Sequence, residues 1–290
     1  AAMLQSGGRY LVSTDTLIEN HDFKTSWSTG FDIGFKSAAS NLADIAAMGA
    51  IPSGMVVALV VPKTTEISWL EEFAKGLQSA IDSLAPEASV VGGDLAAGSE
   101  IVVSVTVFGE LDGTEAVLRS GAKVGDVLAV SGSLGRAACG LALLQSGNSD
   151  FIRSYDDWVV SHLRPTPNLE AGVLAAKAGA TAMLDVSDSL LLDSERIAKA
   201  SSVAIDIHSL QLKGFEATLD LPAQALGVNP AIWVLEGGED HALLATFPKG
   251  SKIPRSFKPI GEVVSGEGKL LLDGEPIQAT GWDSIRGEIN

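Results

Sequence analysis

Cysteine occurs once in the 290 residues, at Cys139, which excludes an intrachain disulfide and any zinc centre built on several thiolates. Histidine is nearly as scarce. His21, His162, His208 and His241 form no H-x-H or HExxH pair, so a histidine-held zinc is not expected. Basic residues are outnumbered: 20 Lys and Arg against 36 Asp and Glu leave a net charge of −16. That balance argues against nucleic acid or an anionic membrane as partner. Long apolar runs are missing too, since the longest, Met55 to Val61, stops at Pro62, far short of the ~18 residues that span a bilayer. No glycine run has the GxGxxG or Walker A spacing. The opening Ala1-Ala2-Met3 carries no basic segment followed by an apolar one, so the natural start is expected upstream. A reducing compartment, the cytoplasm, is the expected location.

Apolar residues make up 46% and charged residues 19%, which excludes intrinsic disorder. At ~150 residues per domain, the length suits two domains or one large α/β unit. Runs rich in Val, Ile and Leu predict strands at Tyr10 to Thr14, Gly54 to Val61, Ser89 to Val91, Ile101 to Gly109, Val127 to Ser131, Ala182 to Val186, Val203 to His208 and Ala242 to Phe247. Helical spacing predicts helices over Ile33 to Met48, Ser68 to Leu84, Arg136 to Gln145, Leu169 to Ala178 and Leu190 to Ala200. Ser68 and Glu71 read as a capping box for the second of these. Strands alternating with helices imply α/β layering. A composition break near Asp112-Gly113-Thr114 divides the chain into 1–117 and 118–290. In the first part, the strand Ile101 to Gly109 alternates Val103, Val105 and Val107 with Ser104, Thr106 and Phe108, and one of its faces needs a partner.

Carboxylates carry the chemical signal. Asp15 follows Leu11 to Thr14, Asp94 follows Val90-Val91-Gly92-Gly93, and Asp185 and Asp188 bracket the end of Ala182 to Leu184. Ligands of α/β proteins collect beyond the carboxyl ends of strands, and oxygen donors are what a hard cation such as Mg²⁺ selects. Any one of these aspartates is more readily explained by turn or cap chemistry; four at strand ends are harder to dismiss together. Ser37, Asn41 and Asp44 fall four and three apart on one face of the first helix. That face either lines a site or meets water, and spacing alone favours water. Gly92-Gly93, Gly132-Ser133-Leu134-Gly135 and Gly237-Gly238-Glu239-Asp240 are turns or phosphate cradles, each a weak signal. Cys139, in the apolar stretch Ala137 to Leu144, reads as buried filler.

Six strings in order, STDTLIENHDF (Ser13 to Phe23), NLADIAAMGAIP (Asn41 to Pro52), VVGGD (Val90 to Asp94), LRSGAKVGD (Leu118 to Asp126), MLDVSD (Met183 to Asp188) and LEGGEDHALL (Leu235 to Leu244), together resemble the thiamine-monophosphate kinases. These share the fold of aminoimidazole-ribonucleotide synthetase. The resemblance implies an N-terminal α/β domain over 1–117 that dimerises, its sheet forming a barrel with the partner's, and a C-terminal α/β domain over 118–290 that completes an ATP cleft. It implies transfer of phosphoryl from ATP to thiamine monophosphate, in line and assisted by several Mg²⁺ ions, in a homodimer. By motif, Ser13, Thr14, Asp15, Asp44, Asp94 and Asp185 match Mg²⁺ ligands, and Asp188 matches the ligand of a further ion. Gly93, Asp94, Arg119 and Ser187 match ATP contacts, and Asp22, Glu239 and Trp282 match contacts to the thiamine phosphate. No general base is expected, because an acceptor phosphate with a second pKa of about 6 is largely ionised at neutral pH.

The chain departs from the family pattern in four places. The usual Gly-Asp-Asp before Ala1 is absent, His21 stands beside the place of the usual histidine, Ser187-Asp188-Ser189 replaces Ser-Asp-Gly, and Gly281 to Ile285 replaces Gly-aromatic-Asp-His-Phe. Ser189 is expected to take negative φ and to cap the following helix. Two relatives of the same fold are disfavoured: selenophosphate synthetases need a reactive Cys near the N-terminus and hydrogenase-maturation proteins end in Cys, whereas this chain ends in Asn290. A non-catalytic sensor of thiamine phosphate or nucleotide is the alternative of a different class.

Overall fold

The structure is a computed structural model that describes residues 9–283 and 288–289. Its elements run β1 (Tyr10–Ile18), α1 (Gly30–Ala47), β2 (Ile51–Pro62), α2 (Ile67–Leu84), β3 (Val90–Gly98), β4 (Val102–Glu110), β5 (Val127–Ser131), α3 (Arg136–Gln145), α4 (Ser149–Ser154), α5 (Asp156–Leu163), α6 (Glu170–Lys177), β6 (Ala182–Val186), α7 (Leu190–Ser201), β7 (Ala204–Ile207), α8 (Ser209–Glu216), α9 (Asp220–Leu226), α10 (Pro230–Glu236), β8 (Ala242–Phe247), β9 (Lys258–Val264), β10 (Lys269–Leu272) and β11 (Glu275–Pro276). The first four strands form a sheet in the order β1-β4-β2-β3, and a second sheet runs β11-β10-β7-β9-β5-β8-β6. The fold is therefore mixed α/β with two main sheets. All expected strands and helices are present, β5, α3, β6 and β8 with the expected ends and the others with shifted ends, while β9 to β11 were not expected and α4, α5 and α8 to α10 lacked a helical pattern long enough to stand out.

Three local expectations are corrected. Helix α2 starts at Ile67 with Glu66 at its N-cap and no side-chain cap bond; Ser68 lies inside the helix and donates to Glu66. The capping box forms instead on α1, where Thr29 and Asp32 bond each other's backbone amides. Asp15 and Asp94 do not end strands but sit within β1 and β3, and Gly92-Gly93 is strand, paired with Val56 and Val57. The turn Gly132 to Gly135 cradles no ligand: Asp240 accepts from Ser133 Oγ at 2.9 Å and from the amide of Gly135 at 2.8 Å. A carboxylate of the chain itself fills the N-terminus of α3.

Helix α1 holds the two sheets together. Sixteen of its 18 residues are buried, the polar ones Asp32, Lys36, Ser37, Ser40 and Asn41 among them. It packs on β1 and β4 of the first sheet and on β6 and β8 of the second. Alternation along the second sheet divides its side chains between two cores: Ala129, Met183, Leu243, Ala245 and Phe247 face the α1 side, and Leu128, Val130, Ala182, Ala242 and Leu244 face the other. Strand β8 is buried at all six positions, the mark of a strand covered on both faces.

The first sheet is covered on one face by α1 and α2. Val103, Val105 and Val107 point inward and are at most 1% exposed; the opposite face is open, with Val12 60% exposed. Edge strand β3 has eight of nine residues exposed. Within one chain this sheet is open and closes no barrel.

Helices α1 and α2 touch backbone to backbone at glycines. A Cβ on Gly76 would lie 2.0 Å from the carbonyl oxygen of Phe31, and one on Gly34 would lie 2.1 Å from that of Phe73. Gly76→Ala gains about 1 kcal/mol of helix propensity and loses about 3 kcal/mol to overpacking against rigid backbone. A net loss of roughly 2 kcal/mol in urea unfolding is expected; unchanged stability would refute the close approach.

Candidate active site

A cleft of about 540 Å³ opens where β1, α1, α3, the β6–α7 turn and the turn after α10 meet. Strand β1 contributes Thr14 and Asp15, and α1 contributes Lys36, Ser40 and Asp44, spaced four apart along one face. Asp185, Ser187 and Asp188 come from β6 and its turn, Gly238, Glu239 and His241 from the turn after α10, and Asp22 and Trp282 from the rim. Ser13 joins by donating its hydroxyl to Asp44 Oδ2 at 2.7 Å. The structure thus gathers ten of the thirteen residues expected at the site.

Gly93, Asp94 and Arg119 do not line this cleft. Arg119 is exposed in the β4–β5 connection. Asp94 pairs across the sheet in the row Asp94, Ala58, Ser104, Thr16, on the open face. Gly93 has a packing reason for being glycine, because a Cβ there would lie 2.3 Å from the Val57 carbonyl oxygen.

The polar face of α1 is not solvated. Ser37 and Asn41 are at most 1% exposed; the Ser37 hydroxyl and the Asn41 amide donate back to carbonyls of their own helix, and Asp44 opens into the cleft. The turn after α10 is docked on the β6–α7 turn: Glu239 N donates to Ser187 O at 2.9 Å and His241 N to Val186 O at 3.1 Å. A Cβ on Gly238 would stand 2.2 Å from Ser187 O, so only glycine permits this approach. Glu239 and His241 both take left-handed φ, 64° and 50°. The effect is to send Glu239 and His241 into the cleft and Asp240 back to α3.

Comparison with known proteins gives the chain a family. Residues 1–111 match the family described as AIR synthase related protein, N-terminal domain. The thiamine-monophosphate kinase of Mycobacterium tuberculosis (strain ATCC 25618 / H37Rv) is 44% identical over 287 residues, 98% of this chain and 84% of that protein. The chain belongs to the thiamine-monophosphate kinase family. The kinase from Aquifex aeolicus superposes with a TM-score of 0.84 at 32% identity, over 93% of this chain and 89% of that one; AaThiL complexed with AMPPCP and TMP gives 0.85 at 33%, over 94% and 86%. The hydrogenase maturation protein HypE in complex with ATP, 17% identical with a TM-score of 0.75 over 98% of this chain and 88% of that one, shares the fold alone.

Two kinds of charge meet in the cleft of this family member. Burial pushes the Asp44 carboxyl up to about 7, with the neighbouring Asp185 adding to the rise and the Ser13 hydroxyl opposing it. Burial would also raise Glu239, but the Lys36 ammonium outweighs it and holds that carboxyl below its usual range. Lys36 Nζ donates to Glu239 Oε2 at 2.6 Å with its side chain only 4% exposed. His162, 3.5 Å from the same oxygen, is pushed down to about 3 by burial and by Lys36, so it stays neutral. His241 shares a hydrogen bond with Asp185 Oδ2 at 3.0 Å; burial lowers its pKa, yet Asp185 raises it more. Its Nε2 is buried without a partner among the described residues.

The donors suit Mg²⁺ shared with a ligand. Carboxylate and hydroxyl oxygens are its preferred chemistry, and it usually takes one or two carboxylates plus water and substrate phosphates. Among the described residues no three His, Cys, Asp or Glu side chains converge tightly enough to hold an ion unaided, and Asp44, raised first by burial and then by Asp185, is a carboxylate whose ionised form a cation would favour.

Lys36, His162, His241 and Arg196 were not singled out by sequence. Lys36 had a visible signal, since it lies four and eight residues before Ser40 and Asp44 in an otherwise apolar helix. Ser189 has φ 162°, extended rather than helical, and caps α7 by accepting from Leu192 N at 2.9 Å. A serine there needs no glycine-like backbone. The expected cap forms, although the expected negative φ does not. Of the closing motif, Ser284 and Ile285 lie outside the described residues.

The Asp44 shift has a sign. Its carboxyl holds a proton more tightly folded than unfolded, so its contribution favours folding at low pH and is lost as pH rises from about 4 through about 7. In chelator and without nucleotide, Asp44→Asn should raise the melting temperature at pH 8 by roughly 2–4 °C, a gain on the order of 1 kcal/mol, and leave it unchanged at pH 4. An equal change at both pH values would contradict the assigned repulsion.

Proposed function

We propose that this chain transfers the terminal phosphoryl group of ATP to thiamine monophosphate, in line and with several Mg²⁺ ions, giving thiamine diphosphate. The observation that carries this reading is the convergence of Asp15, Asp44, Asp185 and Asp188 in one cleft beside Glu239 and Trp282, in a member of this family. AMPPCP is a methylene analogue of ATP, and TMP in a kinase of that name is thiamine monophosphate; their presence with AaThiL supports the two substrates.

Two phosphates brought together repel by about 4 kcal/mol per pair of unit charges at 4 Å and an effective dielectric of 20. Bound Mg²⁺ supplies the charge that offsets this repulsion and aligns donor with acceptor. Its proposed ligands are Ser13, Thr14, Asp15, Asp44, Asp94, Asp185 and Asp188, with Gly93, Asp94, Arg119 and Ser187 at the nucleotide and Asp22, Glu239 and Trp282 at the thiamine phosphate. The remaining work of the chain is positioning. Ser13 engages one oxygen of Asp44 and leaves the other for the cleft, and Lys36 fixes Glu239 while its ammonium also faces the Asp22 carbonyl at 3.5 Å. No side chain needs to remove a proton, because the acceptor is already ionised. The proposed setting is the cytoplasm.

Incubating the protein with ATP, Mg²⁺ and thiamine monophosphate should yield thiamine diphosphate by mass, and chelation should stop it. Asp185→Asn should lower turnover about a hundredfold or more. Binding of both substrates without product would overturn the kinase reading in favour of a sensor.

The homodimer is proposed from the same sheet. Residues 1–117 are assigned to dimerisation and 118–290 to closing the cleft. Strand β3 leaves a long unpaired edge, a feature that proteins pair or cover, and Val12 and Leu95 are 60% and 57% exposed nearby. A barrel made with a second copy covers both. Light scattering at micromolar concentration should give twice the chain mass, and Val12→Asp should give a folded monomer; a monomeric wild type would refute the barrel.

A further inference from the structure

Asp188, a wall of the cleft, already has a cation. Arg196, two turns into α7, places Nη2 2.5 Å from Asp188 Oδ2 and Nη1 2.6 Å from Asp193 Oδ1. The second carboxylate anchors the bridge. Asp193 is 1% exposed, and its other oxygen accepts the backbone amides of Ser187, Asp188 and Ser189 at 3.1, 3.1 and 3.3 Å. That three-amide grip shapes the turn carrying Asp188, so the guanidinium is held at a fixed place relative to the carboxylate it covers.

A guanidinium does not release its proton in a protein, and its planar fork suits two carboxylates at once. It therefore competes with a divalent ion for Asp188 in two ways: it occupies a donor oxygen, and it repels a second positive charge. We propose that Arg196 is the resident counter-cation of Asp188, so that in the free protein this carboxylate contributes little to divalent-ion binding and gains an ion only when Arg196 moves aside. The Arg196 side chain is 40% exposed and has room to move. The proposal rests on the reading of Asp188 as a metal ligand, and it makes this corner of the cleft a lower-affinity site than that of Asp15 and Asp44, which among the described residues carry a backbone amide and a serine hydroxyl rather than a guanidinium.

The test is Mn²⁺ binding to the full chain without nucleotide, read from the electron paramagnetic resonance of free Mn²⁺, in four forms: wild type, Arg196→Met, Asp188→Asn and the double variant. Methionine keeps the length of the side chain without charge or a metal-binding oxygen. Arg196→Met should bind Mn²⁺ at least tenfold more tightly or take up one more ion per chain, Asp188→Asn alone should change little, and the double variant should lose the gain. If Arg196→Met gains nothing while Asp188→Asn weakens binding, Asp188 is a ligand and the proposal falls. If neither variant shifts Mn²⁺, the ligand reading of Asp188 falls and the proposal with it. A gain that survives in the double variant overturns the assignment to Asp188. Thermal unfolding in chelator checks the fold, and should methionine unfold the turn, Arg196→Gln carries the same comparison with the same outcomes.

Discussion

The structure depends on burying one helix between two sheets. Helix α1 gives up nearly all contact with water, yet it carries Lys36, Ser37, Ser40, Asn41 and Asp44. Burying such groups without partners costs several kcal/mol each, so each must be answered. The hydroxyls of Ser37 and Ser40 and the NH2 of Asn41 are answered by carbonyls of the same helix, and Lys36 by Glu239, while Asn41 Oδ1 is buried with no partner among the described residues. Among the described residues Asp44 receives the hydroxyl of Ser13 alone, and it faces another carboxylate, Asp185. The helix is placed by apolar packing and by the glycine contact with α2, and the unanswered charge it carries is where the cleft opens.

The second sheet answers that helix through one turn. Gly238 docks on Ser187, and the reversals at Glu239 and His241 direct three consecutive polar side chains to different tasks. Glu239 closes the ion pair with Lys36, Asp240 fills the N-terminus of α3, and His241 reaches Asp185. Loss of the Lys36 ammonium would leave a carboxylate without its cation, the costlier half of a broken buried pair. The pair therefore locks the turn to α1 and fixes the width of the cleft between them.

Much of this was legible before the fold was known. Alternation in Ile101 to Gly109 and the apolar runs marked the strands, because the period of a half-buried strand is written in which residues face the core. The carboxylates were legible as a group, and the six ordered strings tied them to a family. What stayed hidden depended on geometry that no local pattern encodes. Asp15 and Asp94 look alike at the ends of apolar runs, yet β1 and β3 continue past both, and the pleat turns Asp94 to the open face. Ser68 and Glu71 have the spacing of a capping box, but Glu66 starts the helix first. Asp240 is indistinguishable from Glu239 by sequence; only backbone in the left-handed region separates a cap from a cleft residue.

Chain-borne cations set the cleft's asymmetry. Lys36 stands against Glu239 near Asp22, and Arg196 against Asp188 near Asp193, at two places along the wall, whereas Asp15, Asp44 and Asp185 between them have, among the described residues, a serine hydroxyl, a backbone amide and an imidazole. Negative charge is thus balanced at both flanks and left in excess at the centre. An acidic chain with a net charge of −16 cannot draw anions by its overall field. Attraction has to be local and arrive with the ligand, and the central carboxylates are where a cation accompanying a phosphate meets the least competition.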